Sequence, residues 1–283
     1  MSKTILVTGG AGFVGTALCK RLLSDGHNVI SLDNYFTGSR ENHIPGVDYR
    51  EGHTKDIEKL IPEAPDLLYH LGEYSRTEKS LSEPDTVFDL NMTGTSAVLE
   101  FWRKKKMKLI YAGSSTKFAD GGLGRNQSPY AFTKATNTEY VQNYAAWYDL
   151  PYAITYFYNV YGPGERAGVY GTVIEIFKQK FLKGETLKIT APGTQKRNFT
   201  HIDDIVEGLV VVGEKGEGDE FGLGNPTSFT ILEVAELFGN GIEMVPEVGG
   251  NRMDSVIDTS KTQLLGWQAK KSLPAYIEEI KHT

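Results

Sequence analysis

Short apolar runs alternate with amphipathic stretches through the first 160 residues. Ile5-Leu6-Val7, Val29-Ile30-Ser31-Leu32, Leu67-Leu68-Tyr69 and Leu109-Ile110-Tyr111 are each bounded by polar or turn residues, and each predicts a buried strand. Between them, Phe13 to Leu23 and Thr86 to Trp102 carry helical spacing. Short buried strands separated by helices predict βαβ units and a parallel sheet. A long helix is expected over Tyr130 to Tyr148, stopped near Pro151, and Tyr152 to Tyr158 follows as a further strand. Beyond residue 160 the texture changes. Gly162, Pro163, Gly164 and Gly168 mark an irregular loop, Val173 to Leu182 reads as helix, and Gly213 to Gly224 reads as a Gly/Glu-rich connection. The second half is therefore expected as a smaller region packed on the first. Arg103-Lys104-Lys105-Lys106 falls where a helix should end, and cations there complement the helix dipole.

Composition narrows the function classes. Hydrophobic residues make up 40% and charged residues 23% of 283, as in an ordinary globular protein. The net charge of −6 shows no basic excess, so no nucleic-acid partner is expected. No run of about 18 apolar residues is present, so no membrane span is expected. The N-terminal run meets Gly9 too early for a signal peptide, and the single Cys19 fits a reducing compartment, so the expected location is cytoplasmic. The six histidines are scattered, and no metal site is expected; no Gly-x-Ser-x-Gly elbow is present.

Candidate chemistry begins at the first strand. Ile5-Leu6-Val7 runs into Thr8-Gly9-Gly10-Ala11-Gly12-Phe13-Val14-Gly15, which opens a helix. Small residues at this spacing allow a tight turn, close backbone approach to a pyrophosphate, and close helix–strand packing. The helix N-terminus offers N–H groups and the positive dipole end to phosphates. Asp33 ends the next strand, where a carboxylate accepts hydrogen bonds from ribose hydroxyls and repels a 2′-phosphate. The expected cofactor is thus NAD, bound on a Rossmann doubly wound α/β parallel sheet. Asp56, after the third strand, is placed near the adenine.

Tyr130-x-x-x-Lys134 puts a phenol and an ammonium one turn apart on one helix face. The ammonium stabilises a phenolate, making the phenol a usable base at neutral pH. The spacing alone carries little weight, since about one match is expected by chance among many tyrosines. Its context adds weight: it follows a strand ending in Gly113-Ser114-Ser115-Thr116, and ligands of open α/β sheets bind beyond strand carboxyl ends.

These motifs resemble the extended short-chain dehydrogenase/reductase family, especially its nucleotide-sugar epimerase and dehydratase branch, over nearly the whole chain. Further marks are Leu32-Asp33-Asn34, Tyr69-His70-Leu71-Gly72, Asn91-x-x-Gly94-Thr95, Ser128-Pro129-Tyr130 and Tyr158-Asn159-Val160-Tyr161-Gly162-Pro163-Gly164. Arg197-x-Phe199-Thr200-His201-Ile202-x-Asp204, Asp258-x-Ser260-Lys261 and Leu265-Gly266-Trp267 complete the set. The resemblance implies Tyr130 as catalytic base, Lys134 as the residue holding the nicotinamide ribose, and Ser114 as hydroxyl partner. Asn159 and Arg197 would meet the nucleotide diphosphate, with Arg252 a second clamp. The candidate cofactor set is Gly9, Gly12, Phe13, Val14, Gly15, Asp33, Asn34, Asp56, Leu71 and Lys134. Residues 1–160 are expected as the NAD-binding domain. Residues 161–283 would form mainly the nucleotide-sugar-binding region, with some chain returning to the core. A homodimer is implied, through helices near 86–102 and 130–148.

The resemblance also bears on the reaction. Family members resembling dehydratases and decarboxylases place acidic residues near the end of the Ser114 strand; here the corresponding positions are Ser115 and Thr116, and threonine resembles 4-epimerases. The implied activity is a UDP-glucose/UDP-galactose type 4-epimerase acting through a 4-keto sugar; the alternative is an NDP-sugar dehydratase or other NDP-sugar modifying enzyme starting with the same C4 oxidation, with Glu73 as a candidate participant, and a non-catalytic NAD sensor is a more distant one. Departures include Phe118-Ala119, a short loop between Ser114 and Tyr130, and Glu73-Tyr74-Ser75-Arg76 in place of a small-residue segment. Arg76 is expected to face solvent, with contact to an anionic sugar group as the alternative.

Overall fold

The protein is described here by a computed structural model covering residues 1–115, 124–168, 170–246 and 257–282. Seven parallel strands form the central sheet: β1 (Thr4–Thr8), β2 (Asn28–Asp33), β3 (Asp48–Glu51), β4 (Leu67–His70), β5 (Lys108–Ser114), β6 (Tyr152–Phe157) and β7 (Gly218–Leu223). Their spatial order is β7-β6-β5-β4-β1-β2-β3. The order reverses between β1 and β4, which opens a crevice at the carboxyl ends of those two strands.

Alternation along each strand fills a core on each sheet face. Leu6, Leu32, Leu68, Leu109, Tyr111 and Ile154 point to one side. There they meet Val98, Leu99 and Trp102 of α2 (Gly94–Lys105) and Val141 and Tyr144 of α3 (Pro129–Tyr148). Ile5, Val7, Tyr69, Ile110 and Ala153 point to the other side, against Leu18 and Leu22 of α1 (Phe13–Ser24) and Ile205 and Leu209 of the helix Ile202–Lys215. A third core lies in the C-terminal half, around Phe177, Leu187, Phe238 and Ile277.

Three elements differ from expectation. The stretch Gly213–Gly224 is not a connection: after the helix ends at Lys215 it forms β7, whose Phe221 and Leu223 alternate into the core. The predicted helix over Thr86–Trp102 is interrupted, with Pro84–Phe88 and α2 joined through a widened π turn at Asp89–Thr93. That turn contains Asn91, fully buried, whose side chain holds the Tyr74 N–H at 2.6 Å and Thr133 Oγ1 at 2.9 Å. Finally, β3 is a polar edge strand, Asp-Tyr-Arg-Glu, needing only β2 as partner.

Helix α3 begins where local chemistry dictates. The Ser128 hydroxyl accepts from the Ala131 N–H at 3.1 Å, and Pro129 occupies the first turn. It ends at Asp149, which takes a left-handed conformation with φ +53°. His201 similarly caps the helix at Ile202, its ring accepting from the Asp203 N–H at 3.1 Å.

The seat of α1 on β1 depends on a close approach. A Cβ on Gly15 would lie 2.0 Å from the Gly9 carbonyl oxygen, which is backbone and has no rotamer to yield. Gly15→Ala should therefore destabilise the apo-protein by about 1–3 kcal/mol, the usual range for overpacking. Urea unfolding without nucleotide measures this; an unchanged midpoint would mean that α1 shifts freely.

Candidate active site

The loop leaving β1 turns sharply at Gly9, whose φ is +75° and whose N–H bonds the Leu32 carbonyl at 2.8 Å. A Cβ there would lie 2.9 Å from the Gly72 Cα, so the loops after β1 and β4 close on each other across the strand-order reversal. Gly12 then stands at the N-cap of α1, and no side chain caps that helix or places an acid in its first turn. Its first N–H groups are left for a ligand. Phe13 and Val14 begin the helix and pack half-buried over the core beneath.

Asp33, at the end of β2, is 7% exposed and fixed by backbone: Oδ2 accepts from the Ala11 N–H at 2.9 Å and Oδ1 from the Tyr35 N–H at 2.8 Å. Burial raises its pKa, against the opposing pull of those two bonds. Each oxygen retains a second lone pair for a ribose hydroxyl. An uncapped helix end, a glycine cradle and a fixed carboxylate fit a dinucleotide. Leu71 lies half-buried beside this crevice, its N–H on the Thr8 carbonyl at 3.2 Å. Asn34 and Asp56 occupy exposed turns; the Asn34 side chain accepts from the Phe36 N–H at 3.1 Å.

The predicted catalytic residues meet directly. Ser114 closes β5, Tyr130 opens α3, and the Tyr130 hydroxyl lies 3.1 Å from Ser114 Oγ. Lys134, one turn on, is buried. Its ammonium donates to the Ala112 carbonyl and to the Glu73 carboxylate, and stands 4.6 Å from the Tyr111 ring centroid.

Sequence reasoning gave Glu73 a place only in the dehydratase alternative and did not pair it with Lys134. The Glu73 side chain is 3% exposed. Besides Lys134, it accepts from Thr95 Oγ1 at 2.6 Å, Asn137 Nδ2 at 2.7 Å and the Tyr111 hydroxyl at 2.9 Å. Burial pushes its pKa up, but the Lys134 charge and the donors outweigh burial and hold it below the usual carboxylate value. Complete burial drives His70 down to about 4, so this imidazole is neutral near pH 7. Thr95 donates to Glu73, so it accepts from His70 Nε2–H at 3.0 Å, and the bare Nδ1 accepts from Thr8 Oγ1 at 2.7 Å. One clue to Glu73 existed in the sequence: a lysine on a buried helix face needs a counter-charge.

Arg76 does not face solvent. It is half-buried, its guanidinium donating to the Tyr170 carbonyl and to the Ser75 carbonyl at 3.0 Å. Burial lowers its pKa, and Glu165 and Tyr130 lie within electrostatic reach. The reason is tertiary: the loop holding Tyr170, far along the chain, folds over it.

Asn159 lies two residues beyond the β6 position that pairs with Ser114, so it sits at the same carboxyl end of the sheet. It has φ +34°, is exposed, and donates to the Asn198 carbonyl at 2.9 Å. Arg197 is the neighbour of Asn198 on the short strand Lys196–Asn198, half-buried, with Nη1 on the Lys196 carbonyl at 2.8 Å. These two are brought near each other through Asn198. Arg252, Thr116 and Phe118 lie outside the described residues.

Comparison with known proteins agrees with this architecture. Residues 5–224 match the sequence model of the NAD dependent epimerase/dehydratase family. The UDP-glucose 4-epimerase of Mycolicibacterium smegmatis is 31% identical over 294 residues, covering 95% of this chain and 94% of that protein. The UDP-N-acetyl-alpha-D-glucosaminuronate decarboxylase of Bacillus cytotoxicus is 28% identical over 256 residues, covering 83% and 79%. The crystal structure of UDP-glucose 4-epimerase with UDP-glucose from Thermotoga maritima superposes with a TM-score of 0.92 at 26% identity, covering 99% of this chain and 98% of that one. Since that family match spans residues 5–224, well over half of the chain, the chain belongs to the NAD dependent epimerase/dehydratase family.

Proposed function

We propose that the protein is an NAD-dependent nucleotide-diphosphate-sugar 4-epimerase of the UDP-glucose/UDP-galactose type. The observation that carries this reading is the 3.1 Å contact between the Tyr130 hydroxyl and Ser114 Oγ at the carboxyl end of the sheet. NAD, when bound, supplies the two-electron acceptor for oxidation of the sugar at C4. Gly9, Gly12, Phe13, Val14 and Gly15 would cradle it, with Asp33, Asn34, Asp56, Leu71 and Lys134 as further contacts; Asp33 favours NAD over its 2′-phosphorylated form.

The residues of this chain handle the protons. Tyr130, as phenolate, takes the C4 hydroxyl proton, and Ser114 holds the same oxygen by a hydrogen bond. The resulting 4-keto sugar turns over in the site, and Tyr130 returns the proton when C4 is reduced from the opposite face. Asn159, Arg197 and Arg252 are assigned to the diphosphate, where a guanidinium gives two parallel donors. The decarboxylase among the relatives favours a second reading, another modification of an NDP-sugar starting with the same C4 oxidation.

Helix faces support a homodimer. Phe88, Phe132, Trp147 and Tyr148 are exposed large apolar residues on the helices Pro84–Phe88 and α3, and Trp147 is 62% exposed. Phe88 with Phe132, ring centroids 6.2 Å apart, and Trp147 with Tyr148, 6.4 Å apart, form two exposed apolar groups along α3 that a partner surface would cover. The lone Cys19, buried with its pKa pushed up to about 12, accords with a reducing cytoplasm.

Incubation with UDP-, dTDP- and GDP-sugars, followed by NMR and mass spectrometry, tests the reaction: a C4 epimer of unchanged mass is expected, and loss of water or carbon dioxide would replace this reading with the second. Tyr130→Phe should cut turnover by about 100-fold or more, the scale of general acid–base catalysis, with NAD affinity retained; undiminished turnover would remove Tyr130 from the mechanism. Light scattering should report a dimer that Trp147→Glu converts to monomer.

A further inference from the structure

A lysine beside a phenol lowers the phenol's pKa only to the extent that its own charge is uncompensated. Here that charge is compensated. Lys134 and Glu73 side chains are 7% and 3% exposed and in direct contact. Glu73 stands where the resemblance leads one to expect a small residue, which would leave the ammonium its full field. The groups around the carboxylate come from four elements: Lys134 with Asn137 from α3, Tyr111 from β5, Thr95 from α2, and His70 from β4. Lys134 is the only cation among them, because His70 is neutral near pH 7. Tyr111 is held protonated by burial and by Glu73 itself. The pair therefore presents no net charge to Tyr130, which leaves Arg76, from the loop after β4, as a cation within its electrostatic reach; that charge is the same in all the variants below.

The same contact directs the ammonium. Of its three N–H donors, one goes to Glu73 and one to the Ala112 carbonyl, so the direction of the third follows from tetrahedral geometry. Glu73 in turn cannot swing, with Thr95, Asn137 and Tyr111 all holding it.

We infer that Glu73 is a positioning residue that aims the remaining N–H of Lys134 and, by balancing its charge, sets the pH range over which Tyr130 serves as base. The pH part rests on the proposed dehydrogenation at Tyr130; the aiming part concerns nucleotide binding alone.

The test compares wild type, Glu73→Gln, Glu73→Ala and Tyr111→Phe. In Glu73→Gln the amide oxygen still accepts from Lys134, but the negative charge is gone, so the phenolate is better stabilised. The acid limb of kcat/KM should move down by about one pH unit, the scale of one nearby charge. NAD affinity, read by fluorescence titration, should stay within about threefold, whereas Glu73→Ala, which releases the ammonium, should lose about tenfold or more. A folded Glu73→Gln enzyme whose limb is unmoved or moves up, or which binds NAD without turnover, overturns the charge-balancing role. An unchanged NAD affinity in Glu73→Ala overturns the aiming role. Should Glu73→Gln fail to fold, Tyr111→Phe decides the charge role: the carboxylate loses the screening of one donor dipole, so more of its negative field reaches Tyr130, the limb should rise by about 0.3 unit, and a fall or no change overturns it. If wild type acts on no nucleotide sugar, the proposed function fails, and the NAD titrations still decide the aiming role.

Discussion

An ammonium cannot be buried alone, and the way Lys134 is satisfied ties the site together. Its partners come from β5, through the Ala112 carbonyl, and from the loop after β4, through Glu73, while the lysine itself belongs to α3. Removing one partner of a buried pair typically costs about 3–5 kcal/mol, more than most single contacts in a domain. Three elements that could otherwise slide are thereby held at one point. Tyr130, one turn before Lys134, is then carried to the end of β5, where Ser114 waits.

That arrangement works because the sheet supplies a crevice in the right place. The reversal of strand order between β1 and β4 leaves their carboxyl ends uncovered by a crossover helix. Gly9 and Gly72 let the two loops approach more closely than any side chain would permit. The polar chain Thr8–His70–Thr95–Glu73 runs beneath that crevice, from the end of β1 to the buried ion pair. The glycine turn and the catalytic helix are thus connected through hydrogen bonds as well as through the sheet.

Much of the fold was legible because its signals are local. Runs such as Ile5-Leu6-Val7 and Leu109-Ile110-Tyr111 are buried on both sheet faces, so they read as continuous apolar segments. β7 was hidden because Gly218, Asp219 and Glu220 dominate its first half and Phe221 and Leu223 alone carry an apolar signal. β3 carries almost no apolar signal, since an edge strand can expose both sides. The π turn at Asp89–Thr93 has no composition that marks it; Asn91 inside it is explained only by Tyr74, Thr133 and Asn137, which arrive from elsewhere.

The candidate site divides along the same line. Residue order alone determined the glycine turn, the carboxylate ending the second strand and the one-turn spacing of Tyr130 and Lys134. Each depends on backbone geometry spanning a few residues. Only the tertiary structure decided that Tyr130 touches Ser114, that Glu73 neutralises Lys134 across 61 positions of chain, and that Arg76 is covered by the Tyr170 loop. A charge's partner is set by which strands and loops become neighbours. Spacing along the chain carries no record of that, because Coulomb forces and burial act through space.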